Sequence, residues 1–137
     1  MVSDTVDDRP SEGSKWDISA SHVEGYCTFA IKQGAHAEGR HTAALENGAH
    51  AEGRNTVASG AYSHAEGESA SASGAASHAQ NNKSIANGDN SDAGGYHTTA
   101  SGEQAFTRGY ETLASGDNAE AGGENTTASG KNSAARG

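Results

Sequence analysis

A seven-residue alternation of small and variable positions organises this chain. Residues 19–137 divide into 17 consecutive heptads, each a two-residue spacer followed by a five-residue body. The bodies read SHVEG, TFAIK, AHAEG, TAALE, AHAEG, TVASG, SHAEG, ASASG, SHAQN, SIANG, SDAGG, TTASG, AFTRG, TLASG, AEAGG, TTASG and SAARG. Body position one is Ser, Thr or Ala in all 17, and position three is Ala in 15, with Val23 and Thr107 as exceptions. Position five is Gly in 14, with Lys32, Glu46 and Asn81 departing. Positions two and four vary freely. Small residues at one, three and five give strict period-two alternation, the mark of a short strand with one face turned inward.

Two other periodic structures fail on the same residues. A coiled coil needs large apolar side chains at two positions per heptad, whereas Gly in nearly every heptad would cost a helix about 1 kcal/mol each time. A collagen helix needs Gly at every third residue. The spacers supply corners instead, in pairs such as Arg54 and Asn55, Asp89 and Asn90, Asp117 and Asn118, and Lys131 and Asn132. Gly before the bend tolerates positive φ, and Asn after it does so better than most residues. Gly34 and Gly48 read as a different corner, replacing the Gly absent at Lys32 and Glu46.

Strand and corner in alternation predict an all-β parallel β-roll with 14-residue turns, each built from two 7-residue half-turns. Each strand pairs in parallel with the one a turn later. The Ala, Ser, Thr and Gly positions face an interior too narrow for larger side chains. At ~4.8 Å per strand, about 8.5 turns make a rod near ~40 Å long.

The outward positions separate two faces. One set of half-turns places His22, His36, His50, His64 and His78 in a column, with Glu24, Glu38, Glu52 and Glu66 beside it. Asp92, Phe106, Arg108, Glu120 and Arg136 follow at the same positions. The other set carries Phe29, Ile31, Leu45, Val57, Ile85 and Leu113 among Ser and Thr. A roll with an Ala core buries little surface, so this apolar sheet is expected to be the interface of a closed, self-associating assembly.

Composition changes the picture only after the repeat is seen. Leu, Ile, Val and Phe total 11 of 137 residues and the formal charge is −9, which composition alone would assign to disorder. A stacking repeat escapes that assignment because neighbouring turns bury a continuous core. The acidic balance argues against nucleic acid and anionic membranes as partners. No apolar run is long enough to span a membrane, and Cys27 is the only cysteine. No catalytic constellation falls outside the repeat, so neither enzyme activity nor a cofactor is expected. The residues His36, Glu38, His50, Glu52, His64, Glu66 and His78 are read as an exposed, ligand-facing ladder with no metal role. Three chains meeting at that sheet would give the competing reading, a stack of metal sites on the axis. Imidazoles beside carboxylates are expected to have raised pKa values, making the fold more stable near pH 6 than pH 8.

With these residues the chain resembles the YadA-like head of trimeric autotransporter adhesins, whose half-turns repeat S-V-A-I-G and S-x-A-x-G. TVASG (56–60), SIANG (84–88) and TLASG (112–116) are the nearest matches. The SHAEG and TxASG variant is also similar to repeats in phage tail-associated proteins. The resemblance covers residues 19–137. It implies a left-handed roll, a homotrimer packed about a threefold axis through the apolar half-turns, and binding of a host surface protein or glycan. The implied function is a non-enzymatic head or shaft of a bacterial surface adhesin, at the cell surface and anchored elsewhere in the outer membrane. The alternative is a trimeric phage tail-fibre or tail-spike segment on the virion. The large V and I positions of the family are mostly Ser or Thr here, which makes the expected interface more polar. No neck, stalk or anchor follows Gly137, so the chain is expected to be a fragment or part of a particle that needs no anchor.

Residues 1–18 stand apart as a disordered leader and an N-terminal cap. Trp16 falls where an Ala core position belongs, and with Ile18 it is expected to cover the open end of the roll.

Overall fold

The computed structural model describes Lys15–Trp16 and residues 21–137. It is a parallel β-solenoid formed by two nine-stranded sheets. One sheet stacks five-residue strands, from His22–Tyr26 and His36–Arg40 to Glu120–Glu124, and closes on Ala134–Arg136. The other stacks two-residue strands, from Lys15–Trp16 and Phe29–Ala30 to Thr127–Ala128. The chain alternates between the sheets, so each turn contributes one long and one short strand. No helix among the described residues is long and apolar enough to cross a membrane.

The 14-residue register is as the heptads predict. His36 pairs with His50, Ala37 with Ala51 and Glu38 with Glu52 in the long sheet, and Val57 pairs with Ser71 in the short one. Lys15–Trp16 extends the short sheet by one turn and places Trp16 in register with Ala30, an interior position. The Trp16 side chain, Ile18 and the leader lie outside the described residues.

The interior is made of small side chains alone. Every buried hydrophobic residue among those described is an alanine, and the largest fully buried side chain is threonine. Positions one and three therefore fill the core as expected. Position five does not behave uniformly, which corrects the reading that all glycines face inward. Gly60, Gly74, Gly88, Gly102 and Gly116, in the short half-turns, are buried, whereas Gly39, Gly53, Gly67 and Gly109, in the long ones, are exposed. The long-sheet glycines sit at φ between about 106° and 127°. A Cβ on Gly39 would lie 2.1 Å from the Gly53 carbonyl oxygen of the next turn. Backbone stacking, rather than a narrow interior, demands glycine there. Asn81, at φ 78°, is the one described substitution in this column, and Asn is the side chain that tolerates positive φ best.

The corners also differ from expectation. Every seventh residue from Cys27 to Asn132 has positive φ, between 53° and 70°, and Gly34 and Gly48 occupy the same slot as Tyr62, Ala76 and Asn90. There is no separate first-turn corner. At the short-sheet corners the amide at body position one donates to the carbonyl three residues back, as in Ala35 N to Lys32 O at 3.0 Å and Ser63 N to Gly60 O at 3.1 Å. Lys32 and Glu46 thus close the same turn as Gly60. Positive φ at the third residue of such a turn is the type II requirement, which glycine and asparagine meet at least cost.

Candidate functional site

The strand pleat sends body positions two and four of each long half-turn outward. Parallel pairing without slippage then stacks like residues, so the histidines form a true column. His36 and His50 ring centroids are 4.5 Å apart, His50 and His64 4.6 Å with an interplanar angle of 2°, and His64 and His78 4.9 Å. His22 stands 4.6 Å from His36 but is tilted by 59°, so the regular stack begins at His36.

The glutamates form the parallel column and meet the imidazoles edge-on. His36 Nε2 lies 3.1 Å from Glu38. Glu52 Oε2 lies 3.9 Å from His50 Nε2 and 3.4 Å from His64 Nε2. Glu66 Oε1 lies 3.8 Å from His64 Nε2 and 3.1 Å from His78 Nε2. Each of these two carboxylates therefore serves imidazoles of its own turn and of the next. The ligand atoms of His36, Glu38 and His50 all lie within 4.8 Å of one another, as do those of His50, Glu52 and His64, and those of His64, Glu66 and His78. Nε2 of His50 is shielded from solvent yet makes no hydrogen bond.

The expected upward pKa shift fails at His36. Burial pushes its imidazole below the ordinary value, the neighbouring His50 and His22 add to that, and Glu38 offsets only part. Packing rings into a stack removes water from them, and stacking like-charged groups penalises protonation.

Beyond His78 the face changes character. Asp92 follows in the column, with Arg108 3.9 Å from its carboxylate and the Arg108 guanidinium 4.9 Å from the Phe106 ring centroid. Arg136 pairs with Glu120. At the long-sheet corner Arg54 pairs with Glu68, and Tyr96 stacks on Tyr110 with centroids 5.1 Å apart.

On the opposite sheet the six expected interface residues fall into two columns. Phe29, Val57, Ile85 and Leu113 share body position two, and Ile31 and Leu45 share position four. Phe29, Ile31 and Leu113 are each more than a third exposed, and the others are half-buried. The register adds an order that heptad reading missed: Phe29, Ala43, Val57, Ser71, Ile85, Thr99, Leu113 and Thr127 stack in sequence, large alternating with small. The signal was present as a 28-residue superperiod, two turns long.

Fold and faces together define a parallel β-solenoid with small-residue turns and two chemically different flat sides. The chain matches no protein-family model and no curated protein sequence.

Proposed function

We propose that this solenoid is the head or shaft module of a homotrimeric bacterial surface adhesin, attaching through its outward faces to a host surface protein or glycan. One observation carries the reading. No Leu, Ile, Val or Phe among the described residues is buried within the chain, and the column on the short sheet presents four of them. A rod whose interior is complete with alanine and threonine, yet which lines up large apolar residues outside, has an assembly face. Alternation of large and small residues lets a side chain of one copy seat over a small residue of another. Repeated identical turns favour closed symmetry of like with like. The resemblance to YadA-like heads supplies the number three, the left-handed roll and the cell-surface location.

The same rod in a phage tail fibre or spike is the second reading, favoured by the likeness of the SHAEG and TxASG bodies to tail-associated repeats. Both readings are non-enzymatic. Sedimentation equilibrium of the chain, followed by screening on glycan and matrix-protein arrays, tests the proposal. A trimer that binds one ligand class supports it. A chain that remains monomeric, or a trimer that binds nothing on either array, overturns the adhesin reading.

A further inference from the structure

Seven residues of the long sheet converge in a way the assembly proposal does not use. The three overlapping sets each offer two imidazole nitrogens and one carboxylate oxygen, drawn from two adjacent turns. This is a borderline donor set suited to zinc and its neighbours, and two histidines with one glutamate is a known zinc combination. Separation is the stricter criterion. Donors ~2.05 Å from a tetrahedral ion stand roughly 3.3 Å apart. The imidazole–carboxylate distances run from 3.1 Å to 3.9 Å, bracketing that value. The two imidazoles of a set, stacked nearly parallel 4.5–4.9 Å apart with all donors within 4.8 Å, would tilt toward the ion to bring both nitrogens into reach.

A second observation is independent of spacing. Nε2 of His50 is occluded and makes no hydrogen bond, the Glu52 carboxylate beside it standing 3.9 Å away. A buried polar nitrogen without a partner is costly, and a bound cation satisfies it. The backbone adds rigidity, because all four histidines project from strands paired on both sides. Stacking also lines up Glu38, Glu52 and Glu66 at one strand spacing, where like charges repel and a cation between them is favoured.

We infer that the His-x-Glu ladder is a divalent transition-metal site contained within one chain, holding zinc-like ions between successive turns. Sharing fixes the stoichiometry. His50 and His64 each belong to two sets, and the same His64 nitrogen, Nε2, faces both Glu52 and Glu66. His36, Glu38, His50 and His64, Glu66, His78 share no residue and fill together. Two ions per chain saturate the ladder, and the middle set competes with both. The trimer-axis arrangement is unnecessary to this, and the inference holds whether the rod belongs to an adhesin or a tail fibre.

The test is titration of the untagged full chain with zinc alone by isothermal calorimetry, with circular dichroism as the check on fold. The expected result is saturation at two ions per chain, reversed by chelator, together with a higher melting temperature in zinc. His36→Ala should reduce the number to one, and His50→Ala with His64→Ala should abolish saturable binding. Binding that persists unchanged in the folded double variant, or an absence of saturable binding up to about 1 mM zinc, the edge of meaningful affinity, overturns the inference. If the double variant does not fold, nitrogen-15 imidazole spectra of the parent decide. Zinc should shift His36, His50, His64 and His78, whereas His41 and His97, which belong to none of the three sets, should stay in place. Shifts confined to His41 and His97 would equally overturn it.

Discussion

Ala65→Leu tests the narrow interior most directly. Ala65 is fully buried, between Ala51 and Ala79 of the adjacent turns. No fully buried side chain in the described molecule exceeds threonine, so three added carbon atoms have no volume to enter. Overpacking a close-packed core costs about 1–3 kcal/mol, and turns stacked directly above and below cannot splay without breaking their ladders. For a chain of this size that corresponds to a melting temperature lower by roughly 4–12 °C. Thr107 provides a calibration, since it occupies the same body position three with no exposure. Ala65→Val, similar in shape to threonine, should therefore cost less than half as much as the leucine. Lys131→Leu, at an exposed corner away from both faces, should stay within about 0.5 kcal/mol. Thermal melts of the three variants, with hydrogen exchange to localise the loss, give the answer. Equal melting of Ala65→Leu and the parent would refute the narrow-roll reasoning outright, as would leucine and valine variants of equal stability.

The remaining predictions concern corners, assembly and pH. Gly39→Ala forces a Cβ to 2.1 Å from the Gly53 carbonyl at φ 119°, and should cost at least ~1–3 kcal/mol. Gly34→Asn enters the slot held by Asn90, Asn118 and Asn132, where the nearest atom beyond the chain neighbours is 3.9 Å away, and should be neutral or slightly stabilising; denaturant midpoints of both variants check this pair. Val57→Glu together with Leu113→Glu adds two carboxylates per chain to the apolar column and should dissociate the proposed trimer in sedimentation. A monodisperse trimer of that variant would place the interface on another face. In chelator, the lowered His36 pKa means the unfolded chain binds its proton more readily than the folded one. That contribution to stability is complete above the ordinary value of 6.5 and declines as pH falls below it toward the folded pKa. Melting should therefore occur at a lower temperature at pH 6 than at pH 8, the reverse of what paired His and Glu suggest. The groups facing His36 are His22, His50 and Glu38; His36→Gln should flatten the difference, and a parent melt unaffected by pH would count against it.

The heptad by itself determined a good deal. Alanine at body position three and small residues at position one could only be a strand interior, and their 14-residue recurrence fixed the register that pairs His36 with His50 and Ala51 with Ala65. Side-chain period and chain period are both local properties, so they survive in a string of letters. The histidine column was legible for the same reason. What the letters could not carry was the inequality of the two sheets. Gly39 and Gly60 hold the same body position, yet one is exposed at φ 119° and the other is buried without positive φ. Five-residue and two-residue strands meet the corner at different phases of the pleat, and that phase exists only once the turns are stacked. Convergence of two Nε2 atoms on a single Glu52 oxygen likewise belongs to no heptad. It depends on side chains of adjacent turns leaning together, and the water they exclude is what moved His36 against its expected direction. Spacing named the residues; stacking decided their chemistry.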